Sequence, residues 1–140
     1  MDVVQRRGRF GRPIAEFLGL QRMIADMAIA VEAARPMVWR AARSAGPNGF
    51  ADPHLAAQAK ILAAEAAVQV TNRALPLRGA AGHARAHPMR RHVRDARMFR
   101  IAGGTAQVPR TLVAPSVLGM RIPQTRGGRM REAGRGLAAA

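Results

Sequence analysis

The sequence predicts an all-α fold, an antiparallel helix bundle, on three observations. Apolar residues recur with the helical period from Ile14 onward. Start and stop signals at Gly46 to Gly49, Asp52-Pro53, Pro88 and Gly103-Gly104 cut the chain into segments of helical length. No stretch shows the strict alternation of a half-buried strand.

Met1 to Gln5 reads as the frayed end of a helix. Gly8 and Gly11 break it, and Pro13 starts the next segment. Ile14, Phe17, Leu18, Gln21, Ile24, Met27 or Ala28, Val31 and Ala34 then share one stripe, with Glu16, Arg22, Asp26, Glu32 and Arg35 mostly between them. The spacing predicts a helix reaching Ser44, kinked near Glu32 by Pro36. A second long helix has Asp52 as its cap and Pro53 at its first position. Leu55, Ala59, Leu62, Ala66, Gln69 or Val70 and Arg73 lie on one of its stripes. The small residues of AKILAAEAAVQV suit close helix packing. Pro76 is expected to end this helix, and residues 79–87 to form a glycine-containing loop.

A third helix is expected from Pro88 to Ile101, with Met89, Val93 and Ala96 on one face. Gly103-Gly104 stops it, and Thr105 suits the cap of a fourth, from Ala106 to Leu118, bent by Pro109 or Pro115. Beyond Gly119 there are too few apolar residues to pack. Residues 1–119 are therefore assigned to one helical domain and 120–140 to a flexible basic tail. Two long helices, one short and one bent fall short of four full helices, and the chain opens on what looks like the end of another.

Composition narrows the chemistry. Among 140 residues there are 23 Lys and Arg against 8 Asp and Glu, a net charge of +15. The lone lysine is Lys60, and cysteine and tyrosine are absent. Without cysteine, disulfides and thiolate metal sites are excluded. No apolar run approaches the length of a membrane span, and MDVVQRRGRF has no apolar core of a signal peptide, so a cytoplasmic location is the default. The charge raises a basic helical nucleic-acid binder as one alternative. The arginines are spread along the chain, however, and 4 Phe with 1 Trp are too few for a stacking platform. His83, His87 and His92 straddle a loop and Pro88 with only Asp95 near, so no metal site is assigned. Ser44 and Ser116 have no triad partners. The corner at Gly103-Gly104-Thr105 is different: glycines feeding a helix N-terminus let backbone N–H groups meet an anion or a flat cofactor.

Residues 4–125 resemble the C-terminal helical domain of the acyl-CoA dehydrogenase family. RRGRFGRPIAEFLGLQRMIADM is similar to that family's Arg-x-x-Phe-Gly-x-Pro-Ile stretch, with its following glutamine and Ala-Asp-Met. VEAARPMVWRAA resembles its Glu-Ala-Ala-Arg segment, and AAQAKILAAEAAVQVTNRAL the next helix, with Ala-Lys and then Ala-x-x-Val. LRGAAGHARAHPMRRHVRDAR resembles its Gly-Gly-x-Gly-Tyr loop, then Pro-x-x-Arg and Arg-Asp-Ala. IAGGTAQVPR resembles its Glu-Gly-Thr-x-Gln-Ile-x-Arg box.

The resemblance implies a homo-oligomeric flavoenzyme that oxidises acyl-CoA thioesters, a glutamate taking the α-proton while the β-hydride goes to FAD. It implies that Arg7 and Phe10 reach the FAD of a neighbouring subunit, that Gly79 lies near the other end of that cofactor, and that Thr105 and Gln107 contact FAD from the helix start. Arg94-Asp95 would be a structural pair. The sequence also departs from the family. Gly103 stands at the usual catalytic glutamate and cannot abstract a proton; some members keep glycine there and carry the base on the first bundle helix. Ala102 replaces the neighbouring aromatic, Pro76 the loop glutamine, Ala80 the second loop glycine and His83 the loop tyrosine, and Leu18 a frequent glutamine. No catalytic residue is assigned. The family's N-terminal helical domain, its β-domain and most of its first bundle helix have no counterpart in these residues. The expectation is a truncated or split member, not active alone, with an apolar stripe left open to a partner. The alternative is a non-catalytic subunit that completes a shared FAD site with a chain carrying the missing domains.

Overall fold

The computed structural model describes residues 2–47, 49–105, 107–120 and 122. The chain begins with α1 (Asp2–Arg6), then makes a small antiparallel hairpin of β1 (Gly8–Arg9) and β2 (Arg12–Pro13), with Gly8 opposite Pro13 and Arg9 opposite Arg12. No strand was expected here, because two-residue strands are too short to show an alternation. The loop residues Phe10 and Gly11 both have positive φ, 52° and 76°. That backbone matches the twist of a two-residue hairpin loop and is costly for a residue other than glycine.

A 3-10 turn, Ile14–Glu16, and an extended Phe17 follow, so the long helix α2 (Leu18–Arg43) starts later than the apolar period suggested. Gln21 ties the two pieces, its Nε2 donating to the Ala15 carbonyl at 3.0 Å. The helix runs through Pro36, which is exposed and removes one intrahelical hydrogen bond without ending the element.

The second long helix, α3 (Pro53–Arg78), starts as its sequence dictates: Asp52 Oδ1 accepts the His54 and Leu55 N–H groups at 2.9 and 3.0 Å. Pro76 does not end it. It lies in the last turn, where few carbonyls remain to be satisfied, and Gly79 is the true stop, its N–H reaching back to the Pro76 carbonyl. The expected loop holds a single short turn of helix, α4 (Ala80–His83). Next comes α5 (Pro88–Met98), capped by His87, whose Nδ1 accepts the Met89 N–H at 3.1 Å. It stops short of Ile101 because residues 99–102 close as tight turns on Met98. The final helix is α6 (Gln107–Leu118). Apart from Met120 and Ile122, the basic tail assigned to 120–140 lies outside the described residues.

Helix α3 is central and packs on α2, α5 and α6. Its buried residues are Ala57, Ala59, Ala64 and Ala66, and those of α2 are Met27, Ala34 and Ala41. Ala57 and Ala64, Ala59 and Ala66, and the α2 trio are each seven residues apart, the repeat that keeps a seam facing its partner. Asp26 of α2 pairs with Arg73 of α3 at 2.8 Å, while Met37 and Leu62 line one groove, so α2 and α3 run antiparallel. Leu18, expected inward, is largely exposed, as are Ile29, Trp39, Ile101 and Val117, and Val31 is partly so. These side chains leave wide apolar surface uncovered in the chain as described.

Removing the cap should be felt at once. Asp52→Ala is expected to lower unfolding free energy by about 1 kcal/mol, read as a shifted urea midpoint, whereas Asp52→Asn keeps an acceptor and changes little. At the seam, Ala66→Leu should cost about 1–3 kcal/mol through overpacking; an unchanged midpoint would mean α3 does not pack at backbone distance.

Candidate functional site

Two of the residues singled out above, far apart in sequence, meet in space. The guanidinium of Arg7 lies against Gly79, close enough that a Cβ built there would come 2.4 Å from Nη1 and 2.7 Å from Nη2. Nη1 also points at the Leu77 carbonyl, 3.5 Å away. Gly79 adopts φ 60° and ψ −151°, a region open essentially to glycine. Its backbone therefore requires glycine, whereas the neighbour is the movable end of the Arg7 side chain. Gly82 in the next turn is buried, and a Cβ there would come 2.8 Å from the Arg78 Cβ. Ala80, by contrast, is exposed in α4.

The hairpin supplies Phe10, a residue 91% exposed. It meets Phe17 edge-on, with centroids 6.2 Å apart and planes at 76°. Arg12 lies over the Phe17 ring, its Cζ 4.3 Å from the centroid, a cation–π contact that steadies the base of the hairpin. One end of the bundle thus offers an exposed flat ring on a hairpin carrying Arg9 and Arg12, with Arg7 and an open glycine backbone beside it.

Thr105 and Gln107 are elsewhere. Residues 99–102 turn into Gly103 and Gly104, with φ 69° and 95°. The Thr105 carbonyl accepts the Val108 N–H at 2.9 Å and so opens α6; the Thr105 and Gln107 side chains are exposed. Nothing lies within 4 Å of a Cβ built on Gly103. This corner sits against the first half of α3, where the Lys60 ammonium donates to the Gly104 carbonyl. At about 1.5 Å of rise per residue, Lys60 and Arg78 are roughly 27 Å apart along α3. The five residues therefore form two groups at opposite ends of the bundle and do not line one small cavity within a single chain.

Arg94 and Asp95 form a loose, exposed pair at 3.9 Å that Arg91 shares at the same distance. Among the described residues, no three of His, Cys, Asp and Glu come together to hold a metal ion, and no helix is long and apolar enough to cross a membrane. Three features escaped sequence reasoning. The hairpin and the His87 cap are local geometries with weak signatures. The Lys60 bond spans two distant segments, and its signal was that Lys60 is the one lysine in the chain.

Residues 1–118 match the acyl-CoA dehydrogenase C-terminal domain family. The chain is 57% identical to a 3-sulfinopropanoyl-CoA desulfinase of Advenella mimigardefordensis over 93% of its own length and 32% of that relative's. It is 39% identical to the mitochondrial short-chain specific acyl-CoA dehydrogenase of Bos taurus over 81% of its length and 27% of that protein. The butyryl-CoA dehydrogenase of Megasphaera elsdenii superimposes on it with a TM-score of 0.78 and 32% identity, covering 84% of this chain and 30% of that one. This chain belongs to the acyl-CoA dehydrogenase family, and its fold is that of the family's C-terminal helical domain. The family is one of FAD-dependent flavoproteins. The chain spans about a third of the length of the curated relatives it matches. Membership in a family of acyl-CoA enzymes overturns the nucleic-acid alternative drawn from the charge.

Gly79→Ala is expected to destabilise the chain by about 1–3 kcal/mol through its backbone conformation. Arg7→Ala made together with it relieves the side-chain clash and leaves that backbone cost in place. Thermal melts of the single and double variants separate the two contributions.

Proposed function

We propose that this chain is the flavin-facing helical part of an FAD-dependent acyl-CoA enzyme that removes a sulfino group from 3-sulfinopropanoyl-CoA instead of dehydrogenating an acyl chain. The carrying observation is Gly103. Dehydrogenation needs a base to take the α-proton, the glutamate usual at that corner is absent, and glycine has no group to replace it. Loss of the sulfino group breaks the C3–S bond. With water giving a proton to C3 and hydroxide to sulfur, the products are propanoyl-CoA and sulfite, and no α,β double bond is left in the product. The high identity to relatives named for this reaction supports the reading.

The residues present fit a flavin nucleotide. Arg7 over the bare Gly79 backbone makes a cationic cradle that a Cβ would fill, suited to a diphosphate. The exposed Phe10 ring suits a flat heterocycle. Thr105 and Gln107 stand at the positive end of α6, where an electron-rich ring edge or a phosphate is favoured. When bound, FAD supplies two-electron redox chemistry to the family. Because the two groups lie at opposite ends of α3, we assign Arg7 and Phe10 to the cofactor of a neighbouring copy and Thr105 and Gln107 to the chain's own. The apolar groove between Met37, Leu62, Val113 and Val117 supports such association. The acyl-CoA pocket then comes largely from outside these 140 residues.

The test is to pair the chain with the first two-thirds of the Advenella mimigardefordensis desulfinase. The assembly should retain FAD, release sulfite from 3-sulfinopropanoyl-CoA and fail to reduce an electron acceptor with butyryl-CoA. Acceptor reduction without sulfite release would defeat the desulfinase reading and return the chain to dehydrogenation with a base supplied elsewhere. In the same assembly, Thr105→Val should weaken FAD binding about fivefold, the value of one neutral hydrogen bond.

A further inference from the structure

The corner between α5 and α6 is the least constrained part of the site by local sequence. Gly103 and Gly104 both sit at positive φ, and neither has a side chain to restrict the next peptide. What restrains it is Lys60. Its ammonium reaches across from α3 to the Gly104 carbonyl, forty-four positions away in sequence. Lys60 lines a cavity of about 340 Å³ together with Ala63, Ala64, Ala67, Phe99 and Ala102. Alanines on α3 leave room for the extended chain, and Phe99 and Ala102 close the side toward α5.

The consequence follows from peptide geometry. No peptide bond among the described residues is cis, so the N–H of a peptide points opposite to its carbonyl. With the Gly104 carbonyl turned toward α3 and held there, the Thr105 N–H is turned away from α3. That N–H finds no acceptor among the described residues. We propose that Lys60 is a positioning residue: by holding the Gly104 carbonyl it aims the Thr105 N–H, and the start of α6 behind it, out of the bundle as a preset hydrogen-bond donor. The donor's ligand is an electron-rich oxygen or nitrogen, and on the function proposed above it belongs to the flavin. A lysine is suited to this task because its ammonium is a compact charge that can bond a single carbonyl while its stem packs against methyl groups.

Lys60→Met keeps the stem and removes the charge; Lys60→Arg keeps a charged donor. Hydrogen exchange by mass spectrometry on the full chain reads the corner directly. In Lys60→Met, the hydrogen-bonded amides at the start of α6, residues 108–112, should exchange about tenfold faster, because the Thr105 carbonyl that holds the Val108 N–H loses its anchored neighbour. Those of α2 and the second half of α3 should be unchanged, and Lys60→Arg should restore most of the protection. Unchanged exchange at 108–112 in Lys60→Met would overturn the proposal. So would a uniform loosening of all helices that Lys60→Arg fails to rescue, since Lys60 would then merely support the bundle. FAD added to the desulfinase assembly provides an independent arm. If the corner loosens while FAD binding is the same for wild type and Lys60→Met, the positioning stands and the flavin assignment of Thr105 falls. If both change together, both stand.

Discussion

Everything in this fold depends on how closely other elements can approach α3. Its buried positions are alanines, so α2, α5 and α6 can come near its backbone on different sides. A helix surrounded in this way has no single apolar stripe; it is apolar on several faces, and the small residues decide which ones close. Large side chains at those positions would fill space that the neighbouring helices occupy. The cost of this economy is a thin core. No large side chain is fully buried among the described residues, and many leucines, isoleucines and valines remain at the surface.

Polar ties supplement that packing, and each joins α3 to a different neighbour. Arg73 bonds Asp26 on α2, Arg97 of α5 reaches Asn72, and Arg110 of α6 pairs with Glu65. Exposed pairs of this kind are worth at most about 1 kcal/mol each, so they select register more than they supply stability. They also account for part of the arginine excess. The remaining arginines are distributed over helix faces and loops, as in the run Arg85, Arg90, Arg91 and Arg94 around the start of α5.

Because α3 is 26 residues long and central, it also sets where the two candidate groups stand. One end carries Gly79 under Arg7; near the other, Lys60 holds the corner that leads to Thr105 and Gln107. A single chain therefore holds these two groups of residues apart, with exposed apolar grooves beside them.

The helix order, the Asp52 cap, the Pro88 start and the glycine stop before α6 were legible in the sequence because each rests on bonds within a few residues. The order of motifs sufficed for the family, since Arg7-x-x-Phe10-Gly11 and Gly104-Thr105-x-Gln107 are strings. The boundary errors have local causes too: Pro76 sits where a helix end tolerates it, and Phe17 interrupts a period that apolar spacing alone carries on. Which apolar residues stay outside, the contact of Arg7 with Gly79, the separation of that pair from Thr105 and Gln107, and the grip of Lys60 on Gly104 were not legible. These depend on which faces of α3 its neighbours take, and that is settled only when helices distant in sequence pack and exclude water from one another.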